Sequence, residues 1–310
     1  MSAASHALAA AAIVVPHTDA DGLSSGAIAL RARGEDAKAA LLIGRGRTPF
    51  DADAPLPPGP PAILDWGVRD LERPALMIDH HAPDPVGEGH VVVSGYGEEP
   101  QVSTSVLMRR VVPEAPAWLA ALGAFGDLGT EGLALPECEG APRTAVRKLA
   151  PLVNAPRRLP DGPVREALAI LCESESPRAA LADPRAALLE EARREWPSGL
   201  DAAMRTAPEL LGEVALIRFA SPYQVHPLVA TAWQRRLHPR IVLAANAGYL
   251  PGRVNFSVRG GDGDLRTWLA DALPGDGGSE FARGHDRATG GSLSAERFAD
   301  LVTALRAAAA

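Results

Sequence analysis

Short apolar segments that end in acidic and imidazole side chains are the feature that most constrains the fold of this chain. Residues 75–78 lead into Asp79-His80-His81, and residues 11–15 lead into His17-Thr18-Asp19-Ala20-Asp21-Gly22. Both apolar segments have the length and composition of buried strands. Because ligands of an open α/β sheet bind at the carboxyl ends of its strands, we expect the two polar clusters to lie side by side at that edge.

The N-terminal third of the chain alternates strand-like segments with helices and loops. A helix is predicted from Leu23 to Arg33, and Gly34 is a suitable stop for it. Such alternation is typical of a parallel α/β sheet. Beyond Ser103 the pattern becomes helical as far as Trp196. The predicted strands cover 11–16, 39–43, 62–64, 75–78 and 91–93, and the later helices cover 105–112, 117–125, 143–153 and 186–196.

Strand signals return in the C-terminal third and predict a second, smaller α/β domain. At 310 residues the chain is longer than the size at which single cores stop growing, so two domains are expected. We therefore predict an α/β fold with a parallel-sheet domain over 1–196, a helical linker over 197–212 and a C-terminal domain over 213–310. The active site is expected in the cleft between the two domains.

Composition narrows the range of functions. The net charge of −7 argues against a protein that coats long nucleic acids, because such binding needs a basic surface. A small phosphorylated substrate stays compatible, since metal ions in an acidic pocket attract phosphate. Cys138 and Cys172 are far apart in sequence and favour a reduced, cytoplasmic protein without disulfides. The sequence has no stretch of ~20 consecutive strongly apolar residues, so no membrane span is predicted.

The spacing of His17, Asp19 and Asp21 favours a metal site. In extended backbone, side chains two residues apart point to the same side, so these three would converge on one small volume. Gly22 then allows a sharp turn into the following helix. The alternative is an ordinary acidic loop that caps the helix, because aspartate is a favoured N-cap residue. That alternative would be preferred for Asp21 alone, but the set of three favours metal binding.

Two further aspartates could complete a two-metal site. Asp65 follows the strand 62–64, and Asp127 lies between glycines after an apolar helix. Taken singly, each is typical of a strand end or a turn. Together with the histidines and other aspartates, they supply enough ligands for two divalent ions, which could clamp a phosphate group. Carboxylates and imidazoles without thiolates favour Mn²⁺, with Mg²⁺ or Co²⁺ as alternatives.

The C-terminal third holds a glycine-rich segment that could bind an anion. In Gly284-His285-Asp286-Arg287-Ala288-Thr289-Gly290-Gly291, backbone amides and two basic side chains could surround a phosphate, although such a segment is usually an ordinary turn. Upstream, Ser257 and Arg259 share one face of a predicted strand, which is either a phosphate-facing pair or a solvated edge. The candidate substrate-binding residues are Ser257, Arg259, Gly284, His285, Arg287, Gly290 and Gly291.

In order, these motifs resemble the Asp-His-His (DHH) phosphoesterase superfamily, which includes RecJ-type exonucleases and short-oligonucleotide RNases. The four catalytic signatures of that superfamily are similar to His17–Gly22, Asp65, Asp79-His80-His81 and Asp127 of this chain. The first and third are highly specific. The C-terminal part resembles the associated substrate-binding domain, although Ala282-Arg283 stands where that family usually has more glycines, and Asp286 adds a negative charge.

The resemblance implies a role for each motif residue. One metal ion would be held by His17, Asp19 and Asp65. The other would be held by Asp21, Asp65, His80 and Asp127, with Asp65 bridging. Asp79 would orient His80, and His81 would contact the scissile phosphate. The related manganese pyrophosphatases fit less well, because they typically have serine where this chain has Gly22.

The resemblance implies a manganese-dependent phosphodiesterase that hydrolyses short oligonucleotides or nucleic-acid ends by a metal-bound hydroxide. The closest alternative is a RecJ-like exonuclease on single-stranded DNA or RNA, although we expect no segment here for the oligonucleotide-binding barrel of the longer enzymes. A cyclic-dinucleotide phosphodiesterase or nucleotide 3′-phosphatase ranks third. A non-catalytic nucleic-acid-binding relative is disfavoured because every expected ligand type is present. A homodimer is left open as an assembly.

Overall fold

The computed structural model of the chain, which describes residues 2–275 and 281–309, separates into two units. The first unit comprises Met1–Arg157 and Asp161–Arg194, and the second comprises Arg158–Pro160 and Glu195–Ala310. Residues 197–212, expected to be a linker, fall within the second unit. They hold a helix and a short strand.

The first unit is built on a four-stranded parallel sheet, as the sequence predicts. Its strands are β1 (Ile13–Pro16), β2 (Pro61–Leu64), β3 (Leu76–Asp79) and β4 (Val91–Ser94), in that spatial order. Pro16 pairs with Leu64, and Leu64 pairs with Ile78, so the carboxyl ends of the first three strands are aligned. This register places the residues that follow the strands at one edge of the sheet.

The strand predicted at 39–43 is wrong. The chain forms a 3₁₀ turn at Ala37–Ala39 and a single bridge between Ala40 and Val14. Nη1 of Arg165 donates to the carbonyl oxygens of Ala37 and Ala40, at 2.7 and 3.3 Å. These carbonyls are therefore engaged by a side chain, which limits the length of any ladder in this segment.

The described residues of the first unit also form eight helices. They are α1 (Ala3–Ala10), α2 (Ala20–Arg33), α3 (Thr104–Val111), α4 (Ala117–Leu128), α5 (Arg143–Val153), α6 (Val164–Glu173), α7 (Pro177–Ala182) and α8 (Ala186–Glu195). Of these, α1, α2 and α3 contact the sheet. The start of α2 is capped by Asp19, and its end is the left-handed Gly34. No helix in the described ranges is long and apolar enough to cross a membrane.

Helix α2 lies at the centre of the first unit because its small residues allow close packing. Every residue from Ala20 to Leu30 is buried. A Cβ atom at Gly26 would lie 2.8 Å from Cβ of Pro16, so only glycine permits the observed contact between α2 and β1. The main core lies on this side of the sheet, and a smaller apolar cluster with Val15, Ile63 and Met77 covers the other side.

The second unit has a six-stranded mixed sheet with helices, so a smaller α/β unit is present. The strands are β5 (Glu209–Leu211), β6 (Val214–Phe219), β7 (Ile241–Leu250), β8 (Arg253–Arg259), β9 (Arg283–His285) and β10 (Ala288–Ser294), in the spatial order β5-β6-β7-β8-β10-β9. Its helices are α9 (Pro197–Met204), α10 (His226–Leu237), α11 (Leu265–Ala272) and α12 (Ala295–Ala309). Among the described strands of this sheet, only β6 and β7 pair in parallel.

The glycine-rich segment of the second unit is a hairpin, in contrast to the predicted loop. Gly284 lies in β9, and Gly290 and Gly291 lie in β10. From residue 288 to 290, β10 has a partner strand on both sides. Backbone amides in such a strand are used by the sheet, so they are not arranged as an open anion-binding loop.

We predict that Gly123→Ala destabilises the first unit. A methyl group at this position of α4 would collide with Oγ of Ser105 and Oδ1 of Asp21. Overpacking of this kind outweighs the gain from replacing glycine in a helix, so we expect a net loss of about 1–2 kcal/mol in the free energy of unfolding. Urea unfolding of metal-free protein measures the loss.

The matched control is Gly44→Ala, because a Cβ atom at Gly44 meets no atom within 4 Å. This control should change the free energy of unfolding by less than about 0.5 kcal/mol. Equal effects of the two substitutions would contradict the close contact of α4 with Asp21.

Candidate metal centre

Residues that follow β1, β2 and β3 converge with the last turn of α4. The structure thereby brings together all six side chains predicted as metal ligands: His17, Asp19, Asp21, Asp65, His80 and Asp127. Asp127 was expected just after the helix predicted over 117–125, but α4 extends to Leu128 and includes it. The sheet register and the position of α4, rather than proximity in sequence, create this cluster.

The turn from β1 into α2 positions His17 and Asp19. Oδ1 of Asp19 accepts a hydrogen bond from the backbone amide of Gly22 at 3.0 Å, which caps the helix. Oδ2 of Asp19 lies 2.9 Å from Nδ1 of His17. A Cβ atom at Gly22 would collide with the carbonyl oxygen of His17, so glycine is required for this tight turn.

Asp21 is fully buried and faces the N-terminus of α3. Its Oδ2 accepts a hydrogen bond from the backbone amide of Thr104 at 2.7 Å, and its Oδ1 accepts one from Ser105 at 3.0 Å. Free amides at a helix start favour a carboxylate. Thr104 and Ser105 were not among the site residues predicted from the sequence. The Ser103-Thr104-Ser105 run before an apolar helix was a usable signal, because such residues are common at helix starts.

Asp65 occupies the middle of the cluster. It has a positive φ of 67°, which is uncommon outside glycine but tolerated by aspartate and asparagine. The hydroxyl of Thr104 donates to Oδ1 of Asp65 at 2.9 Å. One carboxylate oxygen lies 3.7 Å from Nδ1 of His17, and the other lies 3.6 Å from Nε2 of His80. Asp65 therefore stands between the two imidazoles.

Asp79 fixes the loop that contains both histidines. Its Oδ2 accepts a hydrogen bond from the amide of Gly67 at 2.6 Å, and its Oδ1 lies 2.9 Å from Nδ1 of His81. We had expected Asp79 to orient His80, whereas this contact orients His81. Asp79 is the last residue of β3. From there its side chain reaches both Gly67, in the turn after β2, and His81, two residues further along the chain. His80 instead places Nε2 3.0 Å from Oδ2 of Asp127.

The donor atoms fall into overlapping groups that could each hold a metal ion. In each group, the potential ligand atoms lie within 4.8 Å of one another. Asp65 belongs to every group, so it is the geometric link between them. The groups are His17–Asp19–Asp65, Asp21–Asp65–His80–Asp127 and Asp65–His80–His81.

The charges in the cluster fit divalent cations. Burial and the negative charges of Asp21 and Asp19 hold the pKa of Asp65 well above its usual range. Burial, together with the charge of Asp127, raises the pKa of Asp21 to about 6. Burial alone would lower the pKa of His80, but its hydrogen bond to Asp127 and the surrounding carboxylates raise it to about 9. Without a metal, protons balance the charge, and a bound cation would displace them.

Asp19 differs from Asp21 and Asp65 because an arginine side chain contacts it. Burial alone would raise its pKa, but the charges of His17 and Arg157 hold the pKa of Asp19 well below the usual range. Nη1 of Arg157 lies 2.7 Å from Oδ2 of Asp19. Oδ1 of Asn154 accepts a hydrogen bond from the amide of Ala20 at 2.9 Å. Neither Arg157 nor Asn154 was among the site residues predicted from the sequence. No local motif marks either residue, and only the packing of the chain after α5 against α2 places them here.

The residues predicted to bind substrate in the second unit lie on β8, β9, β10 and the connecting turn. Ser257 is buried, and its neighbour on the same face, Arg259, donates to the carbonyls of Val258 and Thr289 at 2.9 and 3.2 Å. Arg287 is exposed and bonds to the carbonyl of Gly261. The side chain of His285 lies outside the described part of the structure. The role of all seven residues stays a prediction.

Asp286 does not present an unpaired negative charge in the hairpin. One carboxylate oxygen of Asp286 lies 2.6 Å from Nη2 of Arg266, at the start of α11. The sequence analysis treated Asp286 as a departure that would disfavour phosphate nearby. The ion pair offsets that charge, because the arginine brings a positive charge directly to the carboxylate.

Solved structures with the same fold cover nearly the whole chain. RecJ from Thermus thermophilus in complex with Mn²⁺ matches at a TM-score of 0.66 and 20% identity, over 99% of this chain and 54% of that protein. An exonuclease RecJ bound to manganese matches at a TM-score of 0.62 and 20% identity, over 99% of this chain and 93% of that protein. A pGpG-specific phosphodiesterase from Vibrio cholerae matches at a TM-score of 0.53 and 13% identity, over 95% of this chain and 97% of that protein.

These matches define the class of fold. No protein-family model and no curated protein sequence matches the chain. This chain spans about half of the length of the Thermus RecJ. The chain therefore has the fold of these solved structures.

We predict that Asp65→Asn stabilises the metal-free protein at pH 8. Because folding raises the pKa values of Asp65 and Asp21, their contribution to stability falls as the pH rises above about 4. The raised pKa of His80 likewise makes the folded protein less stable as the pH rises from about 6.5 to about 9. Asparagine tolerates the positive φ, and its carbonyl can accept the Thr104 hydrogen bond, but it removes the central charge.

Thermal unfolding in a chelator at pH 5 and pH 8 measures this effect. The wild type should lose stability between the two values, and Asp65→Asn should lose less. Adding Mn²⁺ at pH 8 should then stabilise the wild type far more than the variant. A variant that melts below the wild type in chelator at pH 8 would contradict charge repulsion around Asp65.

Proposed function

We propose that this chain is a manganese-dependent phosphodiesterase that hydrolyses short oligonucleotides or the ends of nucleic acids. The observation that carries the proposal is the set of donor groups that share Asp65 at the carboxyl edge of a parallel sheet. Two cations bridged by one carboxylate are the arrangement that phosphoryl-transfer sites use to bind phosphate oxygens. The RecJ-like fold of the whole chain supports the same class of reaction.

In this proposal, His17, Asp19 and Asp65 would hold one ion, and Asp21, Asp65, His80 and Asp127 would hold a second. When bound, divalent ions supply a water of lowered pKa and positive charge for the phosphate oxygens. Carboxylate and imidazole donors suit Mn²⁺, with Mg²⁺ or Co²⁺ as alternatives. RecJ structures of the same fold contain Mn²⁺ or Mg²⁺, so our choice of Mn²⁺ rests on the donor set.

Residues around the ligands have supporting roles. Thr104 and Ser105 hold Asp65 and Asp21 through a hydroxyl and two backbone amides. These bonds use only part of the accepting capacity of each carboxylate, so lone pairs remain for a cation. Asp79 fixes the ring of His81 through Nδ1, which we propose directs Nε2 towards the scissile phosphate. His81 is thus the catalytic residue, and Asp79 is its positioning residue.

Short substrates are favoured by the comparison with the pGpG-specific phosphodiesterase, which covers both proteins almost completely. A net charge of −7 also disfavours a long nucleic acid held only by its backbone. The second candidate is an exonuclease on single-stranded DNA or RNA. It is favoured by the higher similarity to the manganese-bound exonuclease, which the chain also covers almost completely.

A digestion panel with Mn²⁺ distinguishes the two candidates. It contains the dinucleotide pGpG, a 5-mer and a 30-mer of RNA and DNA, a cyclic dinucleotide and a nucleoside 3′,5′-bisphosphate. Our proposal expects the highest kcat/KM for the dinucleotide and the 5-mer. A preference for the 30-mer would establish the exonuclease alternative. Full activity in excess chelator would contradict any metal-dependent mechanism.

We predict that Asp65→Asn and His80→Ala each lower kcat by at least about 10²–10³-fold, the scale of losing one electrostatic stabiliser of the transition state. Asp65 would contact both ions, and His80 would contact one. Circular dichroism should remain that of the wild type, because both residues follow strands rather than filling the core. His90→Ala is the matched control, since His90 contacts Asp70 outside the cluster. Normal turnover by both variants would refute the ligand assignment.

We predict that Arg259→Ala weakens the use of nucleotide substrates without changing Mn²⁺ affinity. Loss of a charge-assisted hydrogen bond to phosphate corresponds to a decrease of roughly 10–100-fold in kcat/KM. A small chromogenic phosphodiester should be affected less, because contacts remote from the reacting bond help only substrates that reach them. Arg235→Ala, an exposed position on α10, is the control. Equal losses on both substrates would assign Arg259 to folding or chemistry instead.

A further inference from the structure

Arg157 is a positively charged side chain within the acidic cluster and has no role in the proposed mechanism. Its Nη1 approaches Oδ2 of Asp19 at 2.7 Å, and Nδ1 of His17 approaches the same oxygen at 2.9 Å. The Arg157 side chain is 19% exposed. Its buried Nε has no hydrogen-bond partner among the residues that the structure describes. A buried donor of a charged group without a partner requires an explanation.

The position of Arg157 is fixed by the segment that carries it. Asn154, at the end of α5, holds the amide of Ala20, and Pro156–Arg158 forms a 3₁₀ turn. Asn154 and Arg157 therefore bind two adjacent residues at the start of α2. Because this segment is anchored at both points, the guanidinium group stays beside Asp19 rather than moving into solvent.

A metal ion at His17, Asp19 and Asp65 would meet Arg157 on a shared carboxylate. The two cations would repel each other and would compete for the same oxygen, Oδ2 of Asp19. An anion that contacts both cations removes this conflict. Phosphate suits the position, because the planar guanidinium group can donate from two nitrogens to phosphate oxygens while other oxygens face the metal.

We propose that Arg157 couples metal binding to phosphate binding at this site. Without phosphate, its guanidinium balances the charge of Asp19 and opposes the ion at His17, Asp19 and Asp65. With phosphate, Nε and an Nη atom donate to a phosphate oxygen, and Asp19 is left to the ion. The inference rests on the proposed function and adds a substrate-binding residue that makes the two ligands cooperative. Binding linkage requires the cooperativity to be reciprocal.

Titrations with Mn²⁺ at pH 7.5 test this coupling. The electron paramagnetic resonance signal of free Mn²⁺ reports binding, with and without inorganic phosphate. The proteins are the wild type, Arg157→Ala, Arg157→Gln and Arg157→Lys. Arg147→Ala, an exposed arginine on α5, is the matched control. Thermal unfolding of each protein identifies any variant that fails to fold, and the glutamine and lysine variants preserve most of the side-chain volume.

We expect phosphate to strengthen Mn²⁺ binding by the wild type and by Arg147→Ala. Without phosphate, Arg157→Ala and Arg157→Gln should bind Mn²⁺ more tightly than the wild type, because the competing charge is gone. The strengthening by phosphate should be smaller in these two variants by roughly 10–100-fold, the value of a charge-assisted hydrogen bond. Arg157→Lys keeps the positive charge but lacks the planar guanidinium group. Its strengthening of Mn²⁺ binding by phosphate should lie between that of the wild type and that of the alanine and glutamine variants.

Two results separate this inference from the proposed function. If the wild type binds Mn²⁺ but every Arg157 variant shows the same effect of phosphate, the coupling is refuted and the metal site stands. Weaker Mn²⁺ binding by folded Arg157→Gln without phosphate also refutes it, since Arg157 would then only orient Asp19. If the wild type binds no Mn²⁺ in either condition, the proposed function itself is refuted.

Discussion

Repulsion among the buried carboxylates around Asp65 is the constraint on which the rest of the site depends. Asp19, Asp21 and Asp127 surround Asp65; Asp21 and Asp65 are buried, Asp19 is half-buried and Asp127 is exposed. Their mutual repulsion opposes folding unless protons, histidines or metal ions balance it. The fold opposes this repulsion with backbone amides and a hydroxyl at the start of α3, which hold Asp21 and Asp65 in place. A centre assembled in this way favours divalent cations because they neutralise several carboxylates at once.

The same constraint explains why glycine is required at positions with no chemical role. Gly22 lets α2 start directly beside His17, and Gly123 makes room for Asp21 and Ser105 between α2 and α4. These close approaches bring the first turn of α2 to the cluster. A larger side chain at either glycine would collide with these neighbours and push the carboxylates apart. Packing and electrostatics are therefore coupled: close packing holds the carboxylates near one another, and a metal ion would reduce their repulsion.

Arg157 shows how a neighbouring positive charge divides the cluster. Asp19 is balanced by His17 and Arg157, whereas Asp21 and Asp65 have raised pKa values. The two proposed metal positions are thus electrostatically unequal before any ion binds. An ion near Asp21, His80 and Asp127 would replace protons, while an ion near Asp19 would also have to share its ligand with a guanidinium group. Phosphate binding is the step that would make the two positions compatible.

The sequence by itself determined the parallel sheet, the strand ends that carry His17, Asp65 and His80, and the residues expected to surround a metal. These features follow from local patterns, because short apolar runs form strands and polar residues end them. Only the tertiary structure decided that Asp79 contacts His81, that Thr104 holds Asp65 and that Arg157 reaches Asp19. It also turned the glycine-rich segment into a hairpin of β9 and β10, with β10 paired to β8 on its other side. The contacts of Thr104 and Arg157 join residues distant in the chain, so no local pattern specifies them; they arise because the helices and strands pack in one arrangement.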